Sequence, residues 1–177
     1  MNEDSLTRMI HTRACSQQVP DLLQVIFTAE LIRPSTEFWL VSPWVSDIPL
    51  LDNSDLGFRV LQPGWPRGRV RLSTVLDALA GLGTTVHVVL SKAEHNLLIR
   101  SSLQRLTQYV QQRILIHTDD MNHSKGILGD KFFLSGSMNL TLNGIGHLGE
   151  TVNFHVDPAM IATSRIEFQS RWPGRSL

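Results

Sequence analysis

Three short apolar runs dominate the pattern of this chain: FWLVSPWV at 38–45, TTVHVVLS at 84–91 and RILIHT at 113–118. Runs of this length fit buried strands, and the segments between them carry apolar residues at helical spacing. The resulting order, strand, helix, strand, helix, strand, constrains the fold to an α/β sheet with helical crossovers. A helix is expected ahead of the first strand, from Pro20 to Ile32, ending before Pro34 because proline lacks the amide donor a helix needs. A second is expected from Ser73 to Leu82, closed by Gly81 or Gly83, and a third over roughly 95–111. Beyond Thr118 the rhythm shortens to SKGILG, KFFLSG and ETVNFHV, three further strands, and a closing helix follows from Pro158 to about Ser170. The segment from Ile48 to Arg71 holds Pro49, Gly57, Pro63, Gly64, Pro66 and Gly68 and reads as an irregular loop.

A length of 177 residues with 42% hydrophobic content supports one sizeable core. The reading is an N-terminal extension, 1–19, without clear periodicity, followed by a single domain over 20–177. Sixteen basic residues balance sixteen acidic ones, so no global positive field holds a polyanion and any such binding needs a local cluster. Arg67, Arg69 and Arg71 are the densest one: either a solvated loop or a contact to a polyanion backbone. Cys15 is the only cysteine, which excludes an intramolecular disulfide and suits a reducing cytoplasm. The N-terminus does not read as a secretory signal, and no apolar run reaches the length of a spanning helix. The expected site of action is cytoplasmic, with no stable membrane association.

Chemistry concentrates in HSKGILGDKFFLSGSMNLTLNG, residues 123–144. His123 and Lys125 are two apart, so on a strand both side chains leave the same face. An imidazole beside an ammonium suits an anion: the lysine neutralises a phosphoryl oxygen while the histidine attacks or transfers a proton. Ser137 and Asn139 add uncharged hydrogen-bonding groups beside the backbone of Gly136, and Lys125 and Asn139 together can grip the equatorial oxygens of a phosphoryl group. Glu150, the single acid between Asp130 and Asp157, opens the next strand and can accept the proton on the far nitrogen of an imidazole. Asp130 sits at a turn between strands and is assigned a structural or supporting role.

These residues resemble the signature of the phospholipase D superfamily: His, one residue, Lys, four residues, Asp, then Gly-Ser-x-Asn, met here by His123, Lys125, Asp130, Gly136, Ser137 and Asn139. The elements of residues 20–157 are similar in order to those of the family. The resemblance implies a central mixed sheet flanked by helices and a histidine nucleophile that forms a covalent phosphohistidine. It implies a second histidine that protonates the leaving group and then activates water, and it implies no metal or other cofactor. Most members carry two motifs in one chain; this chain carries one, as do the small nuclease-like members that dimerise. The implied active site therefore lies at a homodimer interface, with His123 of each copy on opposite sides of one phosphorus. His123, Lys125, Asn139 and Glu150 carry over as catalytic residues, with Ser137, Gly136 and Asp130 supporting them.

Several residues admit two readings. Trp65 either stacks on a base or anchors its loop to the core, whereas Trp39 and Trp44 read as core and strand-end residues. Trp172 either caps the last helix or joins an interface. His87 reads as an interior or surface histidine, His117 with Asp119 has a spacing compatible with a metal, and His147 can line the cleft. For the substrate, DNA is the first choice, with RNA possible. The expected enzyme is a DNA endonuclease or nuclease subunit, possible protein partners being those of a larger DNA-processing or restriction assembly. The alternatives are a catalytically inactive nucleic-acid-binding subunit and a phospholipid phosphodiesterase.

Overall fold

The computed structural model describes residues 7–11, 18–107, 113–146 and 150–174. The apolar runs form the strands that their composition implies. In chain order the elements are β1 (Thr7–His11), α1 (Gln18–Ile32), β2 (Glu37–Val41), β3 (Pro49–Asp52), β4 (Arg69–Arg71), α2 (Leu72–Gly81) and β5 (Thr85–Leu90). They continue with α3 (Leu97–Thr107), β6 (Ile114–Thr118), β7 (Gly126–Leu128), β8 (Phe133–Gly136), α4 (Leu142–Gly146), β9 (Thr151–His155) and α5 (Pro158–Arg171).

Seven strands make one mixed sheet in the order β1-β9-β8-β7-β2-β5-β6. β2, β5 and β6 run parallel, joined through α2 and α3, while β7, β8, β9 and β1 add on antiparallel. Side-chain alternation along the strands divides the core into two layers. Phe38 and Leu40 of β2, with Val86 and Val88 of β5, join the α1–α2–α3 side. Trp39 and Val41, with Val89 and Leu128, pack instead against Ile161, Phe168 and Trp172 at the α5 end.

Asp157 caps α5 by accepting from the Ala159 amide at 2.8 Å, with Pro158 in the first turn where no amide is needed. At the turn after β7, Asp130 accepts from the Thr36 amide at 2.7 Å and from Arg165 of α5 at 2.9 Å. Its own amide donates to Ser35 Oγ at 2.7 Å. This carboxylate thus ties the start of β2 to α5, at the end of β7 opposite to His123.

Three expectations need correction. Residues 48–71 are not an irregular loop: β3 and β4 pair as a separate antiparallel ribbon, with a 3-10 turn at Gly57–Val60 between them. Within the ribbon Trp65 is buried in the main core against Phe58, which settles it as an anchor and removes it as a base-stacking group. Second, residues 7–11 of the N-terminal segment pair with β9 along the sheet edge, an interaction that a segment without apolar alternation does not announce. Third, the strand after β6 begins only at Gly126, so His123 and Lys125 stand in the connection before it. The third helix is described as far as Thr107; Val110, like Cys15 and His147, lies outside the described residues.

Candidate active site

In open α/β sheets, ligands bind beyond the carboxyl ends of the parallel strands, where the connections leave in different directions. Here that edge carries an open cleft of about 490 Å³. Pro43 and Trp44 reach it from the end of β2, Ser91 and Ala93 from the end of β5, and Asp120, Asn122, His123 and Lys125 from the β6–β7 connection. Asn139 arrives from beyond β8. Three residues of the motif, His123, Lys125 and Asn139, therefore meet in one cavity although sixteen positions separate the first from the last.

Local hydrogen bonds shape the histidine segment. The buried Asn122 side chain brackets His123: its Oδ1 accepts from the Ser124 amide at 2.9 Å, and its Nδ2 donates to the Ser124 carbonyl at 3.1 Å. Lys125 Nζ donates to the His123 carbonyl at 2.9 Å, which holds the ammonium beside the imidazole-bearing residue. The His123 side chain is exposed to the cleft. On the other wall, Asn139 Oδ1 accepts from Ser42 Oγ at 3.2 Å, and the same hydroxyl contacts the Trp44 carbonyl and receives the Leu140 amide. With its Oδ1 so engaged, Asn139 can turn its amide donor toward an anion.

Ser137 and Glu150 lie where β8 passes into β9. Ser137 Oγ donates to Glu150 Oε2 and accepts from the Thr151 amide, while the Ser137 amide donates to the Thr151 carbonyl at 3.0 Å. Gly136 is required by this close approach: its φ is +152°, and a Cβ there would collide with the Thr151 carbonyl. Gly136→Ala is expected to destabilise the fold by at least about 2 kcal/mol, measurable by urea denaturation. Unchanged stability would show that the β8–β9 junction yields to the methyl group.

A latch from α5 supports the histidine connection. Trp172 Nε1 donates to Asp119 Oδ2 at 3.0 Å, and Arg171 contacts the same oxygen at 3.4 Å while reaching Ser124 Oγ at 3.2 Å. The Trp172 hydrogen bond, helped by the Met121 amide and Arg171, holds the Asp119 carboxyl below the usual carboxylate range. Asp119→Asn should therefore lower turnover several-fold through a looser His123 segment, with substrate affinity nearly unchanged. A variant with native kcat would show that the latch has no bearing on the site. The metal reading of His117 with Asp119 is not what the structure forms: Asp119 serves this latch, whereas His117 Nε2 meets His87 Nδ1 at 3.1 Å.

Arg67, Arg69 and Arg71 do not line the cleft. Arg69 and Arg71 are exposed on β4, and Arg71 donates to the Asp47 carbonyl at 2.6 Å. Sequence reasoning missed Ser42, Asn122 and Trp44 at the site. SPW at 42–44 offered a signal, a strand that ends on proline with an aromatic beside it, but its placement opposite the histidine needed the sheet.

Solved structures share this fold. NucT from Helicobacter pylori is 13% identical, with 93% of each chain covered and a TM-score of 0.61. Nuc from Salmonella typhimurium, described as a phospholipase D family member, is 16% identical over 94% of this chain and 93% of that one, with a TM-score of 0.52. TrmBL2, an archaeal chromatin protein described as showing a novel mode of DNA binding, is 15% identical over 95% of this chain and 51% of its own, at 0.54. At such identities these likenesses establish the fold alone. No curated protein sequence matches the chain. The family model described as "Cardiolipin synthase, PLD-like domain" matches residues 50–172, which include every motif position and all of the cleft lining except Pro43 and Trp44. With more than half of its length under that model, the chain belongs to the phospholipase D-like family.

Proposed function

We propose that this protein is a phosphodiesterase of the nuclease type, cutting DNA through a covalent phosphohistidine on His123. The observation that carries this reading is the convergence of His123, Lys125 and Asn139 on one open cleft at the carboxyl edge of the parallel strands. An imidazole nitrogen of His123 attacks phosphorus, the bond from phosphorus to the leaving oxygen breaks, and Lys125 and Asn139 stabilise the charge on the remaining oxygens. His123 of a second copy protonates the leaving oxygen, then takes a proton from water as that water attacks phosphorus and frees the first imidazole. One water is consumed per bond cut, and both histidines return to their starting states. Glu150, anchored by Ser137, orients the imidazole in this scheme, and Arg67, Arg69 and Arg71 meet the polyanion outside the cleft.

A paired site is supported by the single histidine set in the cleft and by Leu97, Leu98 and Met121, large apolar side chains exposed on segments flanking it. The test is incubation with end-labelled single- and double-stranded DNA in excess chelator, followed by quenching with denaturant at alkaline pH, where a phosphohistidine persists. Cleavage with transient label on the protein is expected; activity that requires an added metal would overturn the mechanism. The likeness to TrmBL2 favours a second reading, a binding subunit that does not cut. That reading expects DNA retention without cleavage and without any protein-bound label.

A further inference from the structure

The chain has four tryptophans, and three of them are buried: Trp39 at 0%, Trp65 at 9% and Trp172 at 5% exposure. Trp44 is 53% exposed, and it lines the same cleft as His123, Lys125 and Asn139. An exposed indole in a cleft offers a flat, apolar face to a ligand that enters there.

The backbone beneath Trp44 is held from both sides. The Pro43 carbonyl accepts from Ser91 Oγ at 2.8 Å, from Asn96 Nδ2 at 2.8 Å and from the Ser91 amide at 3.1 Å. The Trp44 carbonyl accepts from Ser42 Oγ at 2.8 Å, and the Val45 amide donates to the fully buried Asn96 at 2.9 Å. Such a residue presents its ring on a fixed base, so little backbone order is lost when a ligand settles on it. His95 adds a second ring, 6.4 Å from that of Trp44 and tilted by 45°, itself tied to Ser46 through Nε2 at 2.9 Å. Asp120, the acid at this rim, is ion-paired to Lys92 at 3.7 Å and accepts from the Lys92 amide at 2.7 Å, which blunts its repulsion of an anion.

A ligand that satisfies the whole cleft therefore carries a phosphate against Lys125 and Asn139 and a flat ring beside it. In a duplex both faces of each base are covered by neighbours, so only an unstacked base can lie on an indole. We propose that Trp44 is a base-stacking platform that selects single-stranded nucleic acid, and that it holds the base next to the phosphate at His123. This rests on the phosphodiesterase reading for its placement of the phosphate, and it adds the strand form that the chemistry alone leaves open.

The test uses tryptophan fluorescence, since Trp44 is the exposed indole of the four. The His123→Asn chain, which leaves the strand uncut, is titrated with a short single-stranded oligonucleotide, the same strand with abasic sites, a duplex, and vesicles containing an anionic phospholipid. The single strand should quench the emission; Trp44→Ala should bind it about tenfold more weakly and without quenching, and Trp44→Phe should recover most of the affinity. The abasic strand on unsubstituted Trp44 should bind as weakly as the base-bearing strand does to Trp44→Ala, so the test survives a variant that fails to fold. The proposal is overturned if the single strand fails to bind or binds without quenching, or if base-bearing and abasic strands bind alike. Equal quenching by duplex, a response to vesicles in place of oligonucleotide, or loss of self-association in the Trp44 variants would overturn it as well. Quenching without cleavage by the unsubstituted protein would sink the phosphodiesterase reading and leave the platform standing. Cleavage indifferent to the base would do the reverse.

Discussion

His123→Asn is expected to reduce phosphodiester cleavage by at least about 10⁴-fold, the scale on which enzymes lose turnover when a covalent nucleophile is removed. The fold should survive the change. His123 is exposed, and its segment is shaped by the Asn122 side chain, the backbone of Ser124 and the Lys125–His123 carbonyl contact, none of which involves the imidazole. Circular dichroism and denaturation should therefore match the parent, and the base-stable, acid-labile label on protein should vanish. Mixing provides a sharper reading of the shared site. If one site needs His123 from both copies, an equal mixture of parent and variant chains, allowed to exchange, should retain about a quarter of the parent activity instead of half. Activity proportional to the parent fraction would mean that each copy cuts alone. Residual cleavage close to the parent level in the pure variant would place the nucleophile elsewhere and sink the mechanism.

Acidification should weaken the fold by about 3 kcal/mol between pH 6.5 and pH 4, and the source is remote from the cleft. His87, on β5, is only 3% exposed and stacks on Trp39 with ring centroids 3.7 Å apart and planes within 8°. Its Nδ1 meets His117, and its Nε2 has no hydrogen-bond partner among the described residues. Burial first, then the neighbouring His117, pushes its pKa down from 6.5 to about 4. The sign follows from proton uptake. Above pH 6.5 both folded and unfolded chains hold a neutral imidazole and the group contributes no pH dependence. Below 6.5 the unfolded chain binds a proton that the folded chain refuses, so stability falls steadily until the folded group also protonates near pH 4. His117, also pushed down by burial, acts in the same direction. Glu30, whose carboxyl burial pushes up, acts in the opposite sense at the acid end. Comparing the parent with His87→Leu by urea denaturation at several pH values isolates the histidine contribution. The two stability curves should diverge below pH 6.5; parallel curves would show that His87 is charged or hydrated in the folded chain.

The two chemistries were not equally visible in sequence. The strands β2, β5 and β6 and the helices between them were legible because apolar period is a local property: Phe38, Leu40, Val86 and Val88 face the main core by simple alternation. Their boundaries fell within a few residues of the expected ones. The motif residues were legible as a spacing, and so was the family. What the spacing did not contain was where each residue stands. Asp130 and His123 share a motif yet sit beyond opposite ends of β7, which runs between them. Arg67, Arg69 and Arg71 read as part of an irregular loop, yet Arg69 and Arg71 lie on β4 of a paired ribbon, because Pro and Gly around β3 and β4 mask a short register that only the partner strand enforces.

The tryptophans show the same division most clearly. Sequence placed Trp39 in the core and Trp44 at a strand end, and left Trp65 and Trp172 open. Burial of Trp172 and exposure of Trp44 beside the histidine depend on Asp119 and on the ends of β5 and β8, distant along the chain, and Trp65 is buried in the main core beside Phe58. The sequence by itself determined the α/β order, the residue types of the motif and the family they mark, because these are carried by local period and by residue type. Tertiary structure alone decided that His123, Lys125, Asn139 and Trp44 share one cleft and that His87 is sealed against Trp39. Those relations are set by strand register and helix packing, which join positions that no local pattern connects.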